Sequence, residues 1–283
     1  MTTRAIPIKM DKNGCDNGAT TFNCPVPVTV SNTMPSAASL NNEFTLHQQN
    51  HNKIQGVNWH VWSRCNYKCK FCFFTEAGYL NANKGVSGES LCLEDGKRLL
   101  GILASAGIVK INFAGGEPTL YPHISEYISA AVGLGISATI VTNGTGLTDD
   151  FLDRSAPYLS AIKLSLESAS DVVEKNLGRG WGRHVTNTLK IAQRLKDYQV
   201  PVMLNSVVTS RNCDEDLSSV LEIIRPLRWK VFKFLSIEGQ NTFASDSLSI
   251  SDEQFEEFIS RHSKFNPIAE DNDGQCTRSA VIC

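Results

Sequence analysis

Cys65, Cys69 and Cys72 fall within the run Arg64-Cys-Asn-Tyr-Lys-Cys-Lys-Phe-Cys-Phe73, a CxxxCxxC triad. Thiolates at this spacing can share one metal centre, and three of them leave a [4Fe–4S] cluster one ligand short. A cluster held by four cysteines is a closed electron carrier, whereas one held by three keeps an iron open to bind and reduce a small molecule. A zinc knuckle, or thiols with no shared role, is the alternative. Zinc sites usually pair CxxC with a second pair of Cys or His, and the nearest downstream histidine is His123.

A second run with chemical content is Ala114-Gly-Gly-Glu-Pro-Thr119. Gly115 and Gly116 allow backbone to approach a ligand without Cβ interference, and Glu117 can accept from an ammonium group. Taken alone, the run reads equally well as an ordinary turn.

Positioning these residues falls to six strand candidates: Val57–Trp62, Lys110–Phe113, Ser137–Thr142, Ile162–Leu166, Val202–Val208 and Trp229–Leu235. Helical periods lie between them. Leu217, Leu221, Ile224 and Leu227 follow Asp214 as a predicted N-cap; Phe255, Phe258, Ile259 and His262 follow Ser251, with Gln254 closing a capping box. Strands separated by helices imply parallel βα units with right-handed crossovers. A closed barrel needs eight units, so six predict an α/β fold with an open, partial (βα)6 barrel. The cysteine run and the GGEP run each follow a strand, which puts both on the rim where parallel α/β architectures bind ligands.

Alternation along the strands sorts side chains by face. Asn58, His60 and Trp62 oppose Val57, Trp59 and Val61; Lys110 and Asn112 oppose Ile111 and Phe113; Lys163, Ser165 and Glu167 oppose Ile162, Leu164 and Leu166. If the apolar faces meet outer helices, the polar faces line a lumen. A merely solvated polar face, as in many antiparallel sheets, is the other reading. The last strand is less regular, with Lys230 and Lys233 on opposite faces.

The 283 residues are 41% hydrophobic and carry a net charge of −2, enough for one sizeable core. With no cationic excess, neither nucleic acid nor an acidic membrane surface is expected as a partner, although a few well-placed cations suffice for one triphosphate. No apolar run reaches the roughly 18 residues of a membrane span and no signal pattern opens the chain, so a cytoplasmic protein is expected. The other six of nine cysteines, including Cys15, Cys24, Cys92 and Cys213, lack metal-ligand spacing and read as free thiols. Residues 1–52, rich in Asn, Thr, Ser and Pro without period, read as a loosely ordered leader, and 53–283 as one domain.

The chain resembles the radical S-adenosylmethionine (radical SAM) superfamily, which combines CxxxCxΦC, with Φ aromatic (here Phe71), and a GGEP-type segment. Within it, the chain is similar to the viperin family. Asn58-Trp-His60, Lys110-Ile-Asn-Phe113, Gly178-Arg-Gly180, Asn205-Ser-Val207, Arg228-Trp-Lys-Val-Phe232 and Ile237-Glu-Gly239 follow that family in order, between about residues 56 and 265. The resemblance implies conversion of a nucleoside triphosphate to its 3′-deoxy-3′,4′-didehydro form, an antiviral chain terminator. A 5′-deoxyadenosyl radical from SAM would take the ribose 4′-hydrogen, and loss of the 3′-hydroxyl and a second reduction would follow. It implies that Cys65, Cys69 and Cys72 hold the cluster, that Glu117 takes the SAM ammonium, and that Asn143, Ser165 and Arg179 hold the SAM carboxylate and ribose. Phe74, Gly115 and Gly116 would complete that site. Lys110, Arg228 and Lys230 would bind the triphosphate, with Asn58 and Asn205 near the nucleotide, and a flavodoxin- or ferredoxin-type donor would supply electrons.

Each of these residues also has a plainer reading. Asn143-Gly144 is a natural turn pair, Ser165 a satisfied barrel polar group, 178–180 a simple loop, and Lys110 and Arg228 strand-end surface charges. Two departures from the animal viperins stand out. Met203 occupies the place of a triphosphate-contacting lysine, and Ala114 that of a serine, which loosens any strict preference for CTP. Residues 271–283 show no helix or strand period, unlike the family's ending, and the family's amphipathic membrane helix is missing. The rival readings are a radical SAM enzyme acting on a peptide or cofactor precursor, and a non-catalytic zinc or Fe–S module.

Overall fold

The computed structural model describes residues 54–74, 91–238 and 240–270, and the backbone of 279–282. The leader, Gly239 and most of the tail lie outside the described residues. Six parallel strands form where alternation predicts them: β1 (Gly56–Trp62), β2 (Lys110–Gly115), β3 (Ser137–Thr142), β4 (Leu159–Ser165), β5 (Val202–Val208) and β6 (Arg228–Lys233). They lie in sequence order and do not close on themselves, an open barrel wall.

Two further strands extend this wall. Ile268–Glu270 (β7) pairs parallel with β6, and Ser279–Ile282 (β8) pairs parallel with β1. The second corrects the expectation of a tail without strand structure. Three or four residues are too few to show a period, and what recruits them is the row of unpaired backbone groups along an open sheet edge.

Helices cover the outer face: α1 (Leu93–Ser105), α2 (Ile124–Gly133), α3 (Asp149–Ser155), α4 (Asp171–Asn176), α5 (His184–Asp197), α6 (Ser218–Ile224), α7 (Ser245–Leu248) and α8 (Asp252–Arg261). The Ser251–Gln254 capping box of α8 forms as predicted. Asp214 does not cap α6, which starts four residues later at Ser218. There Asp216 Oδ1 accepts from the Ser218 amide at 2.8 Å, and His262 Nε2 accepts from the Leu217 amide at 2.9 Å. Leu227 falls beyond that helix and is exposed.

The two sheet faces sort as alternation predicts. Val57, Trp59, Val61, Ile111, Phe113, Ile162 and Leu164 are buried against the helices, and Trp59 stacks on Tyr127 of α2 with ring centroids 4.8 Å apart. On the other face Asn112 Nδ2 donates to Asn58 Oδ1, and Asn112 Oδ1 accepts from Thr139 Oγ1 and Lys163 Nζ, each at 2.9 Å. That network joins four strands, so the polar face is a structured lumen rather than a solvated surface. No helix among the described residues is long and apolar enough to cross a membrane.

Candidate active site

The cysteine loop leaves β1 at the C-terminal rim and is gripped on two sides by backbone. On one side the Gly116 amide donates to the Trp62 carbonyl at 2.6 Å, and the Glu117 amide to the Arg64 carbonyl at 2.9 Å. Gly115 is the register partner of Trp62. A Cβ on Gly116 would lie 2.1 Å from the Arg64 carbonyl oxygen, so only glycine admits the loop this close. On the other side the Lys68 and Lys70 amides donate to the carbonyls of Gly178 at 3.2 Å and Leu177 at 2.9 Å. Gly178 has φ +82°, and a Cβ there would stand 2.1 Å from the Lys68 carbonyl oxygen. Phe71 anchors the loop from beneath, packing with Leu177, Phe234, Ala244 and Leu248, while its carbonyl accepts from Asn241 Nδ2 at 3.1 Å.

The triad therefore sits on a prearranged loop, and all three thiols are free. Cys65 Sγ accepts from the Tyr67 amide at 3.4 Å and lies 4.0 Å from Asn143 Nδ2; Cys72 Sγ donates to the Phe74 carbonyl at 3.3 Å. Burial pushes the three thiols up, while the Arg179 guanidinium acts on each in the opposite sense. Among the described residues no three His, Cys, Asp or Glu side chains converge on a point that a single ion would fill. Three thiols on one loop clamped by backbone from two sides, with the Arg179 guanidinium acting on each, fit a shared [4Fe–4S] cluster.

Around this loop the predicted ligand residues are tied to one another. Glu117 is 1% exposed. Its Oε1 accepts from the Thr119 amide at 3.1 Å and from the hydroxyls of Thr119 and Thr142 at 2.6 Å, and its Oε2 accepts from the Asn143 amide at 2.7 Å. The carboxylate thus joins the end of β2 to the end of β3. Burial raises its pKa against these four bonds. Asn143 in turn donates from Nδ2 to Asn66 Oδ1 at 2.8 Å, within the cysteine loop.

Arg179 is buried. It pairs with Glu167 and lies 3.8 Å from Glu174, and its guanidinium sits 5.2 Å from the Phe71 ring centroid. Neither glutamate carries a motif signal, and sequence reasoning missed both as partners. Ser165 closes β4, and its carbonyl lies 2.8 Å from Nε2 of buried His184. Burial, then Arg179, lowers His184 to about 3, so the ring is neutral. His60 faces the lumen with its ring 4.3 Å from that of Phe74, and burial lowers it to about 4.

The predicted cations lie on β2 and β6. Lys110 and Arg228 open β2 and β6 at the N-terminal rim, and both are exposed. Asn205 and Lys230 are register partners, half-buried on the lumen face, and Lys230 forms an ion pair with Glu270 of β7. Asn58 belongs to the amide network already described. The structure adds Lys163, whose register partner is Met203, itself the partner of Arg228. Burial, reinforced by Lys230 and Arg228, lowers the Lys163 ammonium to about 8. Its place on the polar face of the fourth strand was the one signal available in the sequence.

Comparison with known proteins adds four findings. Residues 59–224 match the radical SAM superfamily. The S-adenosylmethionine-dependent nucleotide dehydratase of Flammeovirga pacifica is 37% identical over 241 residues, which cover 82% of this chain and 80% of that protein. The protein of the same description from a Thermoplasmatales archaeon (strain ISO4-H5) is 33% identical over 222 residues, 78% of this chain and 77% of its own. Among solved structures, Streptococcus suis SuiB bound to S-adenosylmethionine superposes with a TM-score of 0.64 over 87% of this chain at 18% identity, and shows the same fold; this chain spans 58% of its length.

Proposed function

Because the chain belongs to the radical SAM superfamily and, within it, to the viperin family of S-adenosylmethionine-dependent nucleotide dehydratases, we propose that it removes water from a nucleoside triphosphate to give the 3′-deoxy-3′,4′-didehydro analogue. The observation that carries this reading is the shared face of two features. The clamped thiols stand at the C-terminal mouth, and Arg228 and Lys230 stand on the lumen face below it. A six-residue strand such as β2 spans about 20 Å, room for a nucleotide whose phosphates lie low and whose ribose lies near the mouth.

The cofactors are a [4Fe–4S] cluster and SAM, which together supply the radical that abstracts the ribose 4′-hydrogen. The substrate then loses hydroxide from C3′ and gains one electron, a net loss of one water. Cys65, Cys69 and Cys72 would hold the cluster and leave it one protein ligand short, free to take SAM. Oε2 of Glu117, with a single internal bond, retains capacity for the SAM ammonium, and Asn143, Ser165, Phe74 and the Gly115-Gly116 backbone would complete the SAM site. Arg179, engaged by two carboxylates, contributes charge beneath the loop and holds it in place. Lys110, Arg228 and Lys230 bind phosphates, with Asn58 and Asn205 beside the nucleoside. A flavodoxin- or ferredoxin-type protein supplies the electrons, in a cytoplasmic setting, and the product serves antiviral defence.

The test is direct. Anaerobically reconstituted protein is given SAM, reductant and each of CTP, UTP, GTP and ATP, and the nucleotides are weighed by mass spectrometry. At least one should lose 18 mass units, the mass of one water. Cleavage of SAM with every nucleotide left intact would point instead to a peptide or cofactor-precursor substrate.

A further inference from the structure

We propose that Lys163 is a phosphate-binding residue of the lumen, reaching the substrate's triphosphate from β4 as Arg228 and Lys230 do from β6. The proposal rests on the nucleotide reading above and adds a residue to it. Lys163, Met203 and Arg228 are successive register partners across β4, β5 and β6. Met203, where the family resemblance leads one to expect a cation, offers neither charge nor hydrogen bond, and a cation stands on either side of it.

The surroundings of Lys163 supply no counter-charge at bonding distance. Its ammonium donates to a neutral amide oxygen, Asn112 Oδ1, at 2.9 Å. Among the described residues no ion pair includes it, and Glu270, the acid that acts on it from a distance, is bonded to Lys230. Like charges on Arg228 and Lys230 and the loss of water both oppose its protonation. If its only task were to bridge to Asn112, glutamine would serve without that electrostatic cost. A strand position that keeps a charge against burial and two neighbouring cations is suited to a polyanion that satisfies all three at once.

The experiment separates charge from scaffolding. Full-length protein, reconstituted with its cluster and SAM, is titrated with inorganic tripolyphosphate, pyrophosphate and phosphate, which carry no base or sugar. We expect Lys163→Gln and Lys163→Met to weaken tripolyphosphate binding about tenfold, the worth of one charge-assisted contact, while Lys163→Arg stays close to wild type. Both neutral variants should melt no lower than wild type, which shows that they fold.

Unchanged tripolyphosphate affinity in Lys163→Gln would overturn the proposal, as would failure of the wild type to bind tripolyphosphate. The two readings can fail separately. Loss of polyphosphate binding in a protein that dehydrates no nucleotide supports the role of Lys163 and refutes the dehydratase reading. Dehydration with an unaltered KM in Lys163→Gln refutes the role of Lys163 alone.

Discussion

At the scale of single residues, burial fixes charge states whose signs can be followed in pH. His184 is lowered to about 3 by burial, so below its ordinary value of 6.5 the unfolded chain binds a proton that the folded chain refuses. Stability contributed by neutral His184 is full above pH 6.5 and is lost as pH falls toward 3. His184→Gln can still meet the Ser165 carbonyl but does not titrate. The drop in melting temperature from pH 7 to pH 5 should therefore be shallower in this variant, and an identical slope would remove His184 from the account.

Lys163, lowered to about 8, has the opposite consequence for binding. Above that pH the free enzyme loses the ammonium, so the nucleotide KM should climb between pH 8 and 9. Lys163→Arg should hold KM flat over the same range. Arg228, Lys230 and Glu270 are the charged groups that act on it, and Asn112 accepts its hydrogen bond. Alternation placed Lys163 on the polar face, but nothing in its sequence neighbourhood separates a phosphate ligand from a solvated lysine. That distinction needs the register of β4 against β5 and β6.

At the scale of elements, the glycine runs of the site act as clamps on backbone. Placing a methyl group at Gly116 drives it into the Arg64 carbonyl, so Gly116→Ala must displace the cysteine loop or the end of β2. Overpacking of this kind costs about 1–3 kcal/mol. The expected result is a lower melting temperature together with a reduced iron content after reconstitution; full iron loading would show that the loop tolerates the shift. The sequence placed both motifs on one rim, because each follows a strand. It could not show that the GGEP run and the 178–180 loop grip the thiol loop from opposite sides, since that depends on backbone contacts more than 50 and 100 residues apart, Trp62 to Gly116 and Lys68 to Gly178.

Six strands were legible because each has enough residues for alternation to show. The end strands were not, having three and four residues and owing their existence to the edges they cover. Capping chemistry was legible where the Ser251–Gln254 pair stood alone. It misled where Asp214 and Asp216 competed two residues apart, and the nearer one bonded the first amide of α6.

At the scale of the whole molecule, the wall is an open sheet whose lumen collects cations from β2, β4 and β6 while the chain as a whole is slightly acidic. Because Lys110 and Arg228 are exposed, nucleotide binding should weaken with added salt. The short strand β7 brings Glu270 onto Lys230, with side-chain exposures of 39% and 31%. A partly exposed pair of this kind is worth up to about 1 kcal/mol. Glu270→Gln should therefore lower the nucleotide KM by as much as about fivefold with kcat unchanged. A raised KM would mean that Glu270 supports the site rather than competes for it.

The Glu270–Lys230 contact also implies a ranking of visitors. At rest the lumen is partly neutralised by a tethered carboxylate, an internal rival for the Lys230 ammonium. A singly phosphorylated metabolite brings too little charge to evict it. A triphosphate, bridging several ammonium and guanidinium groups at once, would displace it, and the threshold for entry would then be set by how many phosphates arrive together.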